Sequence, residues 1–230
     1  MIRFNRALDQ AKVLSFDLDD TLYNNHPVIK AALQAQHDYL QTLPQWREQE
    51  ADFWQYCREQ ALMQQPALAH DVTALRKQAL THAMNHLGVD NSHAEHAYRA
   101  FAEARSDIVV ADSVLALLDT LRQRFRLIAI TNGNVDVTRF NLHGQFDAVF
   151  MAGPDGRAKP YSDLYHKAAQ AMAVIPQQII HIGDSLDTDV QGANNAGCKS
   201  VWLNNQAINY HYKGLADMEI SDIHELEILT

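Results

Sequence analysis

Three carboxylates and a hydroxyl, Asp17, Asp19, Asp20 and Thr21, follow directly on the apolar run Val13 to Phe16. Clustered anions repel one another, so such a group persists most easily around a cation or with one member protonated. Asp17 and Asp19 are two apart, which on a continuing strand puts their side chains on one face. Alone, the pattern also reads as an acidic turn capping a strand. Three more stretches carry reactive groups: Thr131-Asn132-Gly133, Lys159 before Pro160, and Asp184 with Asp189. Each has a bland version too, as a turn, a solvated loop lysine and a helix cap.

The elements that must position these residues alternate in type. Val13 to Phe16, Arg126 to Ile130, Ala148 to Met151, Ile179 to Ile182 and Ser200 to Leu203 are short apolar runs that read as buried strands. Between them lie helical stripes, Val114, Leu117, Leu118 and Leu121 in one, and Leu164, Tyr165, Ala168 and Met172 in a helix over Tyr161 to Met172. Strands alternating with helices predict an α/β fold with a doubly wound, mostly parallel sheet. Ligands of such sheets bind beyond the carboxyl ends of the strands, where all four reactive stretches fall.

One block interrupts this alternation. From Pro27 to Arg105 there is a single glycine, Gly88, and the periodicity is helical throughout. Ile29, Leu33 and Leu40 stripe a first helix, Phe53, Cys57 and Ala61 a second, and Leu68, Val72, Leu75 and Ala79 a third that Gly88 ends. Ser92 and Glu95 have capping-box spacing for a fourth, which continues through Tyr98 and Phe101. The expected division is a core at residues 1–21 and 107–230 and a helical cap at residues 22–106.

With 230 residues, 47% of them hydrophobic and 20% charged, the composition is that of a globular protein with one core and room for an insertion. A net charge of −9 and no basic run argue against nucleic acid as a partner. No apolar run approaches membrane-spanning length, and Met1 to Gln10 has no signal-peptide core. Cys57 and Cys198 read as reduced, partly buried thiols of a cytoplasmic protein. His82 and His86, and His93 and His96, have helical spacing, but no acids around them suggest a zinc site.

Taken together, Asp17-Leu18-Asp19-Asp20-Thr21, Thr131, Lys159 and Gly183-Asp184 with Asp189 resemble the four motifs of the haloacid dehalogenase superfamily of hydrolases, in order and over the whole core. The helical block lies where that superfamily places its C1 cap, between the first and second motifs. The resemblance implies a Rossmann-like core and phosphoryl transfer, with Asp17 as carboxylate nucleophile and Asp19 as general acid and base. It implies Mg2+ held by the Asp17 side chain, the Asp19 carbonyl and Asp184, with Asp189 in an outer shell. Thr131, Asn132 and Thr21 are then expected to meet the phosphate, and Lys159 to supply a fixed positive charge. Dehalogenases of the superfamily lack the acid two residues after the nucleophile, so Asp19 favours phosphate esters over halides.

Within the superfamily the chain looks most like bacterial flavin mononucleotide phosphatases, which also act on the phosphorylated ribitylaminouracil precursor of riboflavin. That likeness rests on Phe16 to Tyr23, Ala129 to Asn134, Ala152-Gly153-Pro154 through Gly156 with Lys159-Pro160, and His70-Asp71-Val72-Thr73. In such enzymes the cap closes over the site and selects the leaving group. Tyr23, Asn24 and His26 are expected at the pocket mouth, with Arg76 and Arg105 as arginines that face solvent by default or, alternatively, reach a polar substrate. The expected partner is a small phosphate ester, with the protein a monomer or weak homodimer. Phosphatases of nucleoside monophosphates or sugar phosphates and phosphosugar mutases share the motifs. A receiver-type phosphoacceptor module or an inert binding scaffold is the non-enzyme alternative.

Overall fold

A computed structural model describes residues 2–205 and 214–230. The chain forms two compact units, residues 1–24, 109–133 and 137–230 in one and 25–108 with 134–136 in the other. The divisions fall a few residues beyond 21/22 and 106/107, and the turn after Thr131 adds residues 134–136 to the helical unit.

Among the described residues, the first unit is built on a seven-stranded sheet ordered β1-β7-β6-β5-β2-β3-β4. Its strands are β1 (Arg3–Phe4), β2 (Val13–Phe16), β3 (Arg126–Thr131), β4 (Ala148–Met151), β5 (Ile179–Gly183), β6 (Lys199–Leu203) and β7 (Met218–Ile220). All pairings are parallel except β1 with β7. The expected α/β class therefore holds. The β1–β7 edge went unread because strands of two and three residues carry too little periodicity to detect.

β2 sits between β3 and β5 and is buried along its whole length. Strand order reverses across it, which makes its carboxyl end the switch point where open α/β sheets bind ligands. Helix α6 (Asp112–Arg122) buries Val114, Leu117, Leu118 and Leu121, and α7 (Asp163–Ala171) buries Leu164, Tyr165, Ala168 and Ala169. The predicted stripes thus face the core, where Val13, Ile128, Ile130, Leu164, Tyr165 and Ile179 form one apolar cluster.

The second unit holds α1 (His26–Leu40), α2 (Pro44–Arg47), α3 (Phe53–Gln64), α4 (Val72–Leu87) and α5 (Ser92–Arg105). Phe53, Cys57, Ala61, Leu75 and Ala79 join its core as read from their spacing. Four local expectations change. In α1 the buried face is Ala32, Gln36 and Leu40, while Leu33 is exposed. Leu68 belongs to a separate 3-10 turn, because Asp71 caps α4 by accepting the Thr73 and Ala74 amides. The Ser92–Glu95 box does not form; Asp90 instead accepts the Ser92 amide. Arg105 is buried rather than solvent-facing. Gly88 does end α4, in the left-handed conformation at φ 65°.

Candidate active site

The carboxyl ends of β2, β3 and β5 deliver Asp17, Thr131 and Asp184 side by side, since these three strands are neighbours in register. Lys159 arrives from the loop after β4, and its ammonium joins the strand ends. Lys159 Nζ donates to Asp17 Oδ1 at 2.6 Å, to Asp189 Oδ1 at 2.6 Å and to the Ile130 carbonyl at 2.9 Å. Those three bonds use every donor an ammonium has. Asp17, Lys159 and Asp189, all predicted from the motifs, therefore converge, and one cation is divided between two buried carboxylates.

Asn132 explains how a loop lysine reaches that position. Its side-chain amide donates to the Lys159 carbonyl at 2.9 Å and accepts the Lys159 amide at 2.7 Å. The oxygen and one amide hydrogen of this side chain thus clamp the loop to the end of β3. Thr131 keeps its predicted place at the strand end, its oxygen accepting the Gly133 amide at 2.9 Å while its own proton stays free to donate. Thr21 is likewise turned toward protein, its hydroxyl donating to Asp184 Oδ1 at 3.3 Å.

Asp189 lies five residues beyond Asp184, a spacing that an α-helix would not bring back to the same side. A π turn at Leu186–Val190 resolves this, with Ser185 Oγ capping it by accepting the Thr188 amide. Ser185, rather than Asp184 or Asp189, is therefore the cap of this turn. Asp189 Oδ2 accepts the Ser185 amide at 3.0 Å, and the carboxylate packs directly on Gly183. Any side chain at Gly183 would collide with it, so glycine is needed there for close approach.

The electrostatics follow from burial and the single shared cation. Burial raises the Asp17 carboxyl to about 8, against the lowering effect of Lys159. Burial also raises Asp184, to about 6, with Asp189 adding to the shift. For Asp189, burial is outweighed by Lys159 and His181, which hold it well below the usual carboxylate range. Lys159 is raised, because Asp17 and Asp189 overcome the penalty of its burial. The cluster thus carries more acid than its lysine neutralises. Asp17, Asp184 and Asp189 each bring a carboxylate oxygen to within 4.8 Å of the others, an all-oxygen donor set that fits a hard divalent cation.

Sequence reading missed two partners of the site. Tyr23, expected at a pocket mouth, donates its hydroxyl to Asp19 Oδ1 at 2.6 Å. Asp20 adopts a left-handed backbone at φ 60°, which short polar side chains tolerate, and its amide bonds to the Tyr23 carbonyl. Five consecutive positions thus close into a turn that fixes Asp19. His181, on β5, donates to Asp189 at 3.1 Å. A signal for it existed, as a lone histidine inside an apolar strand, but its partner depends on the π turn.

The remaining residues singled out in the sequence have other settings. Arg76 stacks its guanidinium 3.7 Å from the Phe101 ring and donates to the buried Gln36 at 2.8 Å. It is half-buried, not solvated, because a planar, weakly hydrated guanidinium packs well on an aromatic face. This bond also explains why Gln36 replaces an apolar residue on the inner face of α1. His82 and His86 pack edge-on against Tyr56. Cys57 and Cys198 are buried free thiols. No helix among the described residues is long and apolar enough to cross a membrane.

Comparison with known proteins agrees with this geometry. A family model described as haloacid dehalogenase-like hydrolase matches residues 11–197. The 5-amino-6-(5-phospho-D-ribitylamino)uracil phosphatase YigB of Escherichia coli (strain K12) is 37% identical over 207 residues, covering 88% of this chain and 87% of that protein. An N-acylneuraminate-9-phosphatase of Mus musculus is 28% identical over 212 residues, covering 86% and 84% of the two chains. Among solved structures, a 2-haloacid dehalogenase from Pseudomonas syringae superposes with a TM-score of 0.90 at 30% identity, over 95% of this chain and 97% of that one. Likeness of that extent, running through every strand end that carries the site, makes this chain a member of the haloacid dehalogenase-like hydrolase family, and a phosphatase acting on small phosphoric monoesters.

Proposed function

We propose that the enzyme is a magnesium-dependent phosphomonoesterase that works through an aspartyl phosphate on Asp17. The observation that carries this reading is the Lys159 ammonium 2.6 Å from both Asp17 and Asp189, which fixes a buried carboxylate at the switch point of the sheet. An Asp17 oxygen attacks phosphorus, and the bond from phosphorus to the ester oxygen breaks. Asp19 gives its proton to the departing alkoxide, then takes one from the water that attacks the phosphoryl group, and Asp17 leaves as a carboxylate. Thr131 donates to a phosphoryl oxygen, while Lys159 holds positive charge beside the nucleophile. Asp17, Asp184 and the Asp19 carbonyl would hold Mg2+, with Asp189 behind them, and the bound ion would screen the nucleophile from the phosphate's charge.

A carboxyl at position 19 supports ester hydrolysis over dehalogenation, because halide leaves without a proton whereas an alkoxide needs one. The Tyr23 hydroxyl steadies that carboxyl, so Tyr23→Phe is expected to lower kcat about tenfold with the fold retained, the effect of losing one hydrogen bond to a charged group. Steady-state assay beside the circular dichroism spectrum checks this.

The substrate we favour is a riboflavin-pathway phosphate: the phosphorylated ribitylaminouracil named for the 37% identical relative, or flavin mononucleotide, which the motif resemblance implies. Side-by-side assay of these, nucleoside monophosphates and sugar phosphates should rank the riboflavin-pathway compounds first by kcat/KM. Flavin mononucleotide and its precursor at the bottom would remove the assignment.

Metal dependence has a sign fixed by the raised carboxyls. Protons held by Asp17 near 8 and Asp184 near 6 compete with the ion, so affinity for Mg2+ is expected to rise with pH. The gain in Tm on adding Mg2+ should grow between about pH 5.5 and 8, and chelation should abolish activity throughout. A pH-independent gain would contradict the assignment of these acids as ligands.

A further inference from the structure

Two polar side chains stand in the middle of the sheet where apolar ones would pack. Ser15 on β2 and His181 on β5 are register partners on adjacent parallel strands, and both are fully buried. Their side chains meet at 2.9 Å between Ser15 Oγ and His181 Nδ1. The other ring nitrogen, Nε2, lies 3.1 Å from Asp189 Oδ1, the same oxygen that receives Lys159. The ring edge packs at 90° against Tyr165, whose hydroxyl donates to the Asp189 carbonyl at 3.3 Å.

We propose that His181, oriented by Ser15, is a positioning residue for phosphoryl transfer: it fixes the Asp189 carboxylate, which in turn holds Lys159 against Asp17. The proposal rests on the phosphatase mechanism above and adds the residues that set its geometry. An ionised carboxylate can only accept, so the hydrogen on this bond sits on Nε2. Nδ1 is the ring's other nitrogen, and the Ser15 hydroxyl 2.9 Å away can donate to it. Asp189 thus sets the tautomer, and the Ser15 hydroxyl fits it by donating to Nδ1, which holds the ring in the orientation that points its donor at Asp189. A neutral donor suits this place. It orients Asp189 without supplying a second positive charge that would release Lys159 from the pair. With both Asp189 oxygens and its main-chain carbonyl bonded, little freedom remains for Lys159 to drift from Asp17.

The test compares His181→Leu, His181→Gln and Ser15→Ala with wild type, using an aryl phosphate at saturating Mg2+. Gln can place an amide N–H near the position of Nε2, whereas Leu fills the volume without donating. We expect kcat to fall about tenfold to a hundredfold in His181→Leu, with KM within about twofold, and to recover at least half of that loss on a logarithmic scale in His181→Gln. Equal kcat in the Leu and Gln variants would reduce His181 to core filling and overturn the proposal. A second readout does not depend on turnover. In the metal-free protein, two-bond 1H–15N correlation of the ring should show hydrogen on Nε2 and a bare Nδ1, with the Nδ1 shift displaced in Ser15→Ala as its hydrogen-bond donor is lost. A proton on Nδ1 in wild type would refute the orienting role of Ser15. Should wild type hydrolyse no phosphate ester, the mechanism itself has failed, while the ring spectrum still reports on the Ser15–His181–Asp189 chain.

Discussion

Asp17→Asn is expected to remove turnover by a factor of roughly a thousand or more while leaving the fold intact, because an amide cannot form the covalent intermediate. Its effect on stability has an opposite sign. The Asp17 carboxyl titrates at about 8 in the folded protein, above the 3.8 of an unperturbed aspartate. In metal-free protein the folded state therefore binds a proton that the unfolded state has lost between those two values. Wild-type stability falls across that window, and the penalty is complete above the higher pKa. Asparagine resembles the protonated form and carries no such dependence. The variant's Tm relative to wild type should rise as pH is raised through this range, even as activity vanishes. Scanning calorimetry across pH, paired with an aryl phosphate assay, reads both. Near-normal hydrolysis in the variant would remove the mechanism.

Lys159→Met should be the most destabilising single change at the site. It deletes the ammonium shared by two buried carboxylates and leaves its volume in place. Truncating one partner of a buried ion pair costs about 3–5 kcal/mol, because the remaining charge stays buried without compensation. Asp189 keeps His181 and the Ser185 amide, so Asp17 bears most of the loss. Asp17, already near 8 with its lysine in place, would then titrate higher still, so the variant's deficit should widen as pH rises from about 7 to 10, the sense set by an acid whose raised folded pKa is raised further. Urea denaturation at the two ends of that range measures it. Activity should drop by at least about a hundredfold at every pH, since a preorganised positive charge beside the transferring group is lost. A variant as stable as wild type at high pH would contradict the shared-cation description.

The limits of sequence reading show in particular residues. Asp17, Asp19 and Asp184 were legible because each sits at or just beyond a short apolar run, and topology alone sends those ends to one edge, while Lys159 was legible only as part of the motif order. Asn132 was legible as a member of the site, but its grip on the loop of Lys159 was not. Its amide grips the Lys159 main chain, and nothing in a local motif says which of two loops it will face. His181 and Ser15 meet through strand register, and Asp189 returns to them through a π turn, so neither contact has a signature along the chain. In the helical unit, Gln36 displaced Leu33 from the inner face of α1 because Arg76, from a distant helix, supplied its partner. Hydrophobic periodicity prices an isolated side chain. It has no term for a buried polar pair formed across elements.

The central claim is that Asp17 carries the phosphoryl group between substrate and water. Acid-quenching the enzyme in the first turnovers of an aryl phosphate, digesting it and weighing the peptides tests this directly, with Asp19→Asn included to slow the second step. The account predicts one added phosphoryl mass on the peptide containing Asp17, rising and decaying in wild type and accumulating in Asp19→Asn. Product release with no adduct on that peptide in either protein, or an adduct on another residue, would contradict it.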